Sequence, residues 1–138
     1  RFSNGGMAFT PYADQLPGSC RDYYAIDSWA HYDTPQGHWL WVTRDAPLVT
    51  VGGPHTLRRI KDAPKDSHRI CAMVFDNFLH TNFVANSHGL FEFQFELAWK
   101  SDLADAGALA ATLLSEPLIV ETPGLPATPE LLKSLFTP

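Results

Sequence analysis

Leu90-Phe91-Glu92-Phe93-Gln94-Phe95-Glu96-Leu97-Ala98-Trp99 is the stretch whose reading decides the fold. Phe91, Phe93, Phe95, Leu97 and Trp99 fall at every second position, with Glu92, Gln94 and Glu96 between them. Side chains alternate across a β-strand, so the large apolar residues share one face and the polar ones the other. At a rise of roughly 3.3 Å per residue, such a strand spans about 33 Å. One apolar and one wet face is the pattern of an antiparallel sheet. The expectation is a long strand whose aromatic face is buried as the wall of a core, each side chain contributing about 1.5–3 kcal/mol.

Working outward, the segment just before this strand is dense in amides and aromatics: Asp76-Asn77-Phe78-Leu79-His80-Thr81-Asn82-Phe83, followed by the turn signal Asn86-Ser87-His88-Gly89. Asn77, His80, Thr81 and Asn82 are the candidate substrate-binding residues. Amides both donate and accept, and the neighbouring rings can stack on a sugar. The competing reading is that these amides satisfy the backbone of their own tight loop.

The rest of the chain reads as strands and breaks. Residues 1–21 hold Gly5-Gly6, Pro11 and Pro17-Gly18 and read as an irregular or edge segment. Residues 22–32 read as one strand, and His38–Thr43 as its hairpin partner across Asp33–Gly37. Leu48–Val51 and Ile70–Phe75 are two more strands, separated by a charged stretch from 55 to 69 that reads as a solvated loop. Ser101-Asp102 introduces the alanine- and leucine-rich run Leu103–Leu114, a predicted helix of about three turns. Glu116–Val120 reads as a short strand, and the proline-rich 121–138 as a loosely attached tail. The predicted class is therefore mainly β: an antiparallel β-sandwich over residues 1–120 with one added helix near its C-terminal part.

Composition narrows the function. The 138 residues suit one domain, and 45% are hydrophobic, enough to build a core. Of the four tryptophans, most are expected in that core. A net charge of −5 with only ten Lys and Arg, and no basic run, disfavours nucleic acid. No apolar run is long enough to span a bilayer, and residues 1–6 have no signal-peptide core. A cytoplasmic location is the expectation, with a secreted one left open. The absence of an initiator Met points to a cut or processed piece of a longer chain. Cys20 and Cys71 read as unpaired thiols, Cys71 buried as a small hydrophobe, with a disulfide as the alternative. No pair among the cysteines and six His has metal-ligand spacing. No nucleophile elbow, zinc-protease helix or phosphate-binding loop is present, so no catalytic residue and no metal ligand is assigned.

Three segments carry a resemblance. Pro17-Gly18-Ser19-Cys20-Arg21-Asp22, Asp45-Ala46-Pro47-Leu48-Val49 and Asp76–Phe83 resemble, in order, parts of the C-terminal β-rich region of bacterial α-mannosidase-like proteins of glycoside hydrolase family 38. In that family the third segment usually reads Asn-Asn-x-Trp-x-Thr-Asn-Phe. Asn77, Thr81, Asn82 and Phe83 match it, whereas Asp76 and Leu79 replace the first Asn and the Trp. The resemblance runs over about residues 10 to 120.

It implies a large multidomain retaining glycosidase whose divalent metal, such as Zn²⁺, and catalytic carboxylates lie in other domains. The fragment itself would need no cofactor. Its partner would be the rest of the parent chain, with the Asn77–Phe83 loop beside the carbohydrate cleft. A free-standing carbohydrate-binding module using Trp29, Trp39, Trp41 and the Asn77–Asn82 loop is the alternative, and a pure protein-interaction domain a third reading.

Overall fold

The computed structural model describes residues 1–55, 60–75 and 86–117. Among these residues, eight strands form two antiparallel sheets with one short helix: β1 (Phe2–Asn4), β2 (Met7–Phe9), β3 (Tyr24–Ala25), β4 (Trp29–Thr34), β5 (Gly37–Thr43), β6 (Leu48–Val51), β7 (Ile70–Ala72), β8 (Phe95–Lys100) and α1 (Ala106–Leu114). The larger sheet has the order β2-β1-β4-β5-β8 and the smaller β3-β6-β7. The predicted mainly-β, sandwich-like architecture with one added helix is what the described residues adopt.

The larger sheet is the middle layer. One face packs on the smaller sheet through Phe2, Tyr24, Ile26, Ala30, Val49 and Val51. The opposite face packs on α1 through Leu40, Val42 and Ala110, with Trp29 and Leu109 at the margin. This division follows from pleat parity: Ala30 and Trp41 are cross-strand partners on one face, His31 and Leu40 on the other. Asp105 caps the helix, its Oδ1 accepting from the Ala108 N–H at 3.0 Å. The helix thus starts at Ala106 rather than near Leu103, because Asp105 and not Ser101 or Asp102 supplies the cap.

Several expectations are corrected. Residues 22–32 do not form one strand. Tyr24–Ala25 belongs to the smaller sheet and Trp29–Thr34 to the larger, with the chain crossing between them. Ser3 holds that crossing: its Oγ accepts from the backbone N–H of Ser28 (3.1 Å) and Trp29 (3.0 Å) and donates to the Trp29 carbonyl (3.2 Å).

Of the irregular-or-edge reading of residues 1–21, the edge part holds for residues 2–9, which end the larger sheet at β2. Phe2–Asn4 and Met7–Phe9 make a hairpin about Gly5-Gly6, whose φ of +60° and +75° only glycine adopts cheaply. Phe2 is among the most buried side chains in the chain. Ile70–Phe75 shortens to Ile70–Ala72, and Leu90–Trp99 to Phe95–Lys100. Cys20 is exposed and Cys71 only half-buried; neither is bonded to the other. The expected strand at 116–120 lies mostly outside the described residues, as does the 121–138 tail.

Candidate functional site

Asn77, His80, Thr81 and Asn82 lie outside the described residues, so the site predicted from the amide-rich loop has no described geometry. The strand that follows that loop gives the clearest alternative.

β8 pairs with β5 in the register Trp39↔Trp99, Trp41↔Leu97 and Thr43↔Phe95. The alternation read from the sequence therefore holds over Phe95, Leu97 and Trp99, which share a face. The burial expected of that face does not. Leu97 is 67% exposed, Trp99 48% and Phe91 55%. β8 is the last strand of its sheet among the described residues, and the three-stranded sheet does not reach over it. The wall of the core is instead β4 and β5, where Ala30, Leu40 and Val42 are fully buried.

The tryptophans also depart from expectation. None is fully buried: Trp29 and Trp41 are half-buried, and Trp39 is 42% exposed. Trp41 stacks on Phe95 with ring centroids 5.4 Å apart and an interplanar angle of 22°. The Trp99 indole lies against the backbone of Gly37. A Cβ there would come within 3.0 Å of the Trp99 Nε1 and 2.7 Å of the Lys100 carbonyl oxygen. With φ at +143° as well, Gly37 is what lets the β4–β5 hairpin close beneath that ring.

Where this aromatic face meets the margin of the smaller sheet there is a groove of about 390 Å³. Tyr32, Trp39, Trp41 and Leu97 form one side, His68 and Ile70 the other, and Thr34 lies at the hairpin end. Burial, and secondarily Cys71, pushes the Tyr32 phenol up to about 12. Its hydroxyl therefore stays protonated at neutral pH and donates to the Ser67 carbonyl at 3.3 Å. A wider hollow of about 680 Å³ is walled by Pro17–Asp22 with Ile60 and Lys61.

The helix-side face of the same hairpin carries a second constellation toward its turn. His31 Nε2 lies 3.2 Å from His38 Nδ1, and His38 Nδ1 lies 3.3 Å from Asp33 Oδ1. Burial, then the chain's amino group and His38, hold the His31 imidazole below its ordinary value. Among the described residues no three His, Cys, Asp or Glu side chains gather so as to hold a metal ion. None of the described helices is long and apolar enough to cross a membrane.

Two of the three segments that carry the resemblance are described, and both brace the backbone. Asp22 is buried, and its Oδ1 accepts from the Ile60 N–H at 2.6 Å. Asp45 Oδ2 accepts from the Gln94 N–H at 2.8 Å, and the Pro47 carbonyl accepts from Ile26 N–H at 2.8 Å. Asp45–Val49 is thus the corner where the chain leaves the larger sheet for the smaller, with Thr43 Oγ1 accepting from the Ala46 N–H to tighten it. The sequence reading named Trp39 and Trp41 among the residues of a carbohydrate-binding alternative but not Tyr32, His68 or Leu97, because the groove's lining comes from separate places in the chain. The available signal was the Trp39-Leu40-Trp41 alternation itself. Comparison of the chain with family models, with curated proteins and with solved structures gave no match.

Proposed function

We propose that the chain is an accessory β-sandwich domain of an α-mannosidase-like glycoside hydrolase, structural in role and seated beside the carbohydrate cleft of its parent. The observation that carries this reading is the work done by Pro17–Asp22 and Asp45–Val49. Both segments resemble family 38 sequences, and both spend their carboxylates on the backbone at seams of the sandwich. A carboxylate bound to a peptide N–H in this way is an acceptor that holds geometry; it is not presented to a glycosidic bond. The metal and the acid–base pair would come from the parent's other domains, and the Asn77–Phe83 loop would approach the cleft from this one.

A retaining glycosidase needs two carboxyl groups about 5–5.5 Å apart across the scissile bond. The test is hydrolysis of an aryl α-mannoside by the full parent chain and by the 138-residue chain, each with and without added Zn²⁺. The parent is expected to turn over and the shorter chain not to. Metal-dependent turnover by the purified 138-residue chain would refute the accessory role. A natural reading frame with no glycosidase domain upstream would refute the parentage.

A further inference from the structure

We infer that the groove beside Trp39, Trp41 and Leu97 is a binding site for a neutral saccharide chain. This function is separate from the structural role proposed above and does not require the parent to be catalytic.

The argument starts from what the groove presents. Its floor is indole and aliphatic surface on β5 and β8, and Trp39 and Leu97 are open to solvent rather than covered by the smaller sheet. Among the described residues, none of the side chains that line it is Asp, Glu, Lys or Arg. Pleat parity sends Glu96 and Lys100 to the opposite face from Leu97 and Trp99. A phosphate, a uronic acid or a charged peptide would therefore lose its hydration at the floor without gaining an ionic partner there.

A neutral sugar fits both parts of the surface. The C–H face of a pyranose is apolar and weakly positive, and it matches the negative face of an indole. Its hydroxyls need acceptors and donors at the rim. Thr34 Oγ1 donates to the Gly37 carbonyl at 2.7 Å, which keeps its lone pairs open to accept. The Tyr32 oxygen, donating to Ser67, is left as an acceptor in the same way, and His68 adds ring nitrogens. At about 390 Å³ the groove is within the roughly 300–1,000 Å³ range of small-molecule sites. The aromatic row continues past the groove in both directions, to the Trp41–Phe95 stack and to Trp99 beside Trp39. That continuation favours an oligosaccharide over a single ring.

The test uses the 138-residue chain with mannan, xylan, a β-glucan and their oligosaccharides, and with polygalacturonate and heparin as charged comparators. Tryptophan emission and titration calorimetry read binding; sedimentation reads self-association. At least one neutral glycan is expected to bind and shift tryptophan emission to the blue. Trp39→Ala should weaken that binding about tenfold or more, as truncating a central interface tryptophan does. Leu97→Ser should weaken it less, and Trp29→Phe on the helix side should leave it unchanged; melting temperatures show that each variant is folded. The inference fails if no neutral glycan binds. It also fails if folded Trp39→Ala and Leu97→Ser bind as tightly as the parent sequence, or if the charged polymers bind better. A dimer that Trp39→Ala dissociates would make this face a self-interface and overturn the inference.

Discussion

One face of the five-stranded sheet is treated in two ways along its width. At β1 and β4 it is covered: Phe2 and Ala30 are 2% and 0% exposed beneath Tyr24, Val49 and Val51 of the smaller sheet. At the Trp39 end of β5 and along β8 the same face is open, with Trp39, Leu97 and Trp99 exposed, whereas Trp41 and Thr43 further along β5 are half-buried and buried. Large apolar side chains stand in both halves, Phe2 in one and Trp39, Leu97 and Trp99 in the other. The difference lies in the second sheet, which among the described residues has three short strands and does not extend over β8. Hydrophobic alternation tells which residues share a face; whether that face is buried depends on what a distant part of the chain lays over it.

The comparison breaks most visibly at Phe2. Phe2→Ala removes a ring packed edge-to-face on Phe9 and Tyr24, at centroid distances of 5.9 and 5.7 Å. The expected loss is about 3–5 kcal/mol in a denaturant titration. A loss under about 1 kcal/mol would mean that the covered half is not the core.

Ser3→Ala tests the crossing that puts β3 and β4 in different sheets. The substitution leaves the part-buried N–H groups of Ser28 and Trp29 without their acceptor, an expected cost of about 1–3 kcal/mol. Ser3→Thr, which keeps the hydroxyl, should recover part of it. Leu97→Ala sits at the other end of the comparison. On the open half its loss should stay within about 0.5 kcal/mol, the range of ordinary surface changes. A loss of 2 kcal/mol or more, the scale of a core leucine, would place Leu97 under cover.

The smallest effect belongs to the hairpin that both halves share. His31 is held below its ordinary value chiefly by burial, so the folded state binds fewer protons than the unfolded chain as pH falls. Stability is full above the unfolded histidine value of about 6.5 and declines as pH drops through and below it. Melting temperature should therefore fall on acidification from pH 7, and His31→Gln should flatten the slope. An unchanged slope in the variant would assign the acid sensitivity elsewhere.

Much of the architecture was legible in short patterns. Asp33–Gly37 marked the β4–β5 hairpin, Leu48–Val51 appeared as a strand with its bounds intact, and the run from Ala106 to Leu114 is helical. The N-terminal hairpin was legible too, in Asn4-Gly5-Gly6 between Phe2 and Phe9, but prolines further along drew residues 1–21 together as one irregular or edge segment. The candidate site was less accessible to such reading. The amide-rich loop lies outside the described residues, and the groove joins four separated stretches that no local window contains.

The sequence by itself determined the elements and their two-residue periodicity, because turn chemistry and pleat parity act between near neighbours. It thereby set Trp39 with Trp41 on one face and Phe95, Leu97 and Trp99 on one face of theirs. Only the tertiary structure decided that Tyr24–Ala25 and Trp29–Thr34 part into different sheets, that Phe2 enters the core, and that the β8 aromatics remain outside it. Those outcomes depend on registers and layers contributed by residues tens of positions away. Burial is a property of the completed packing rather than of any single strand.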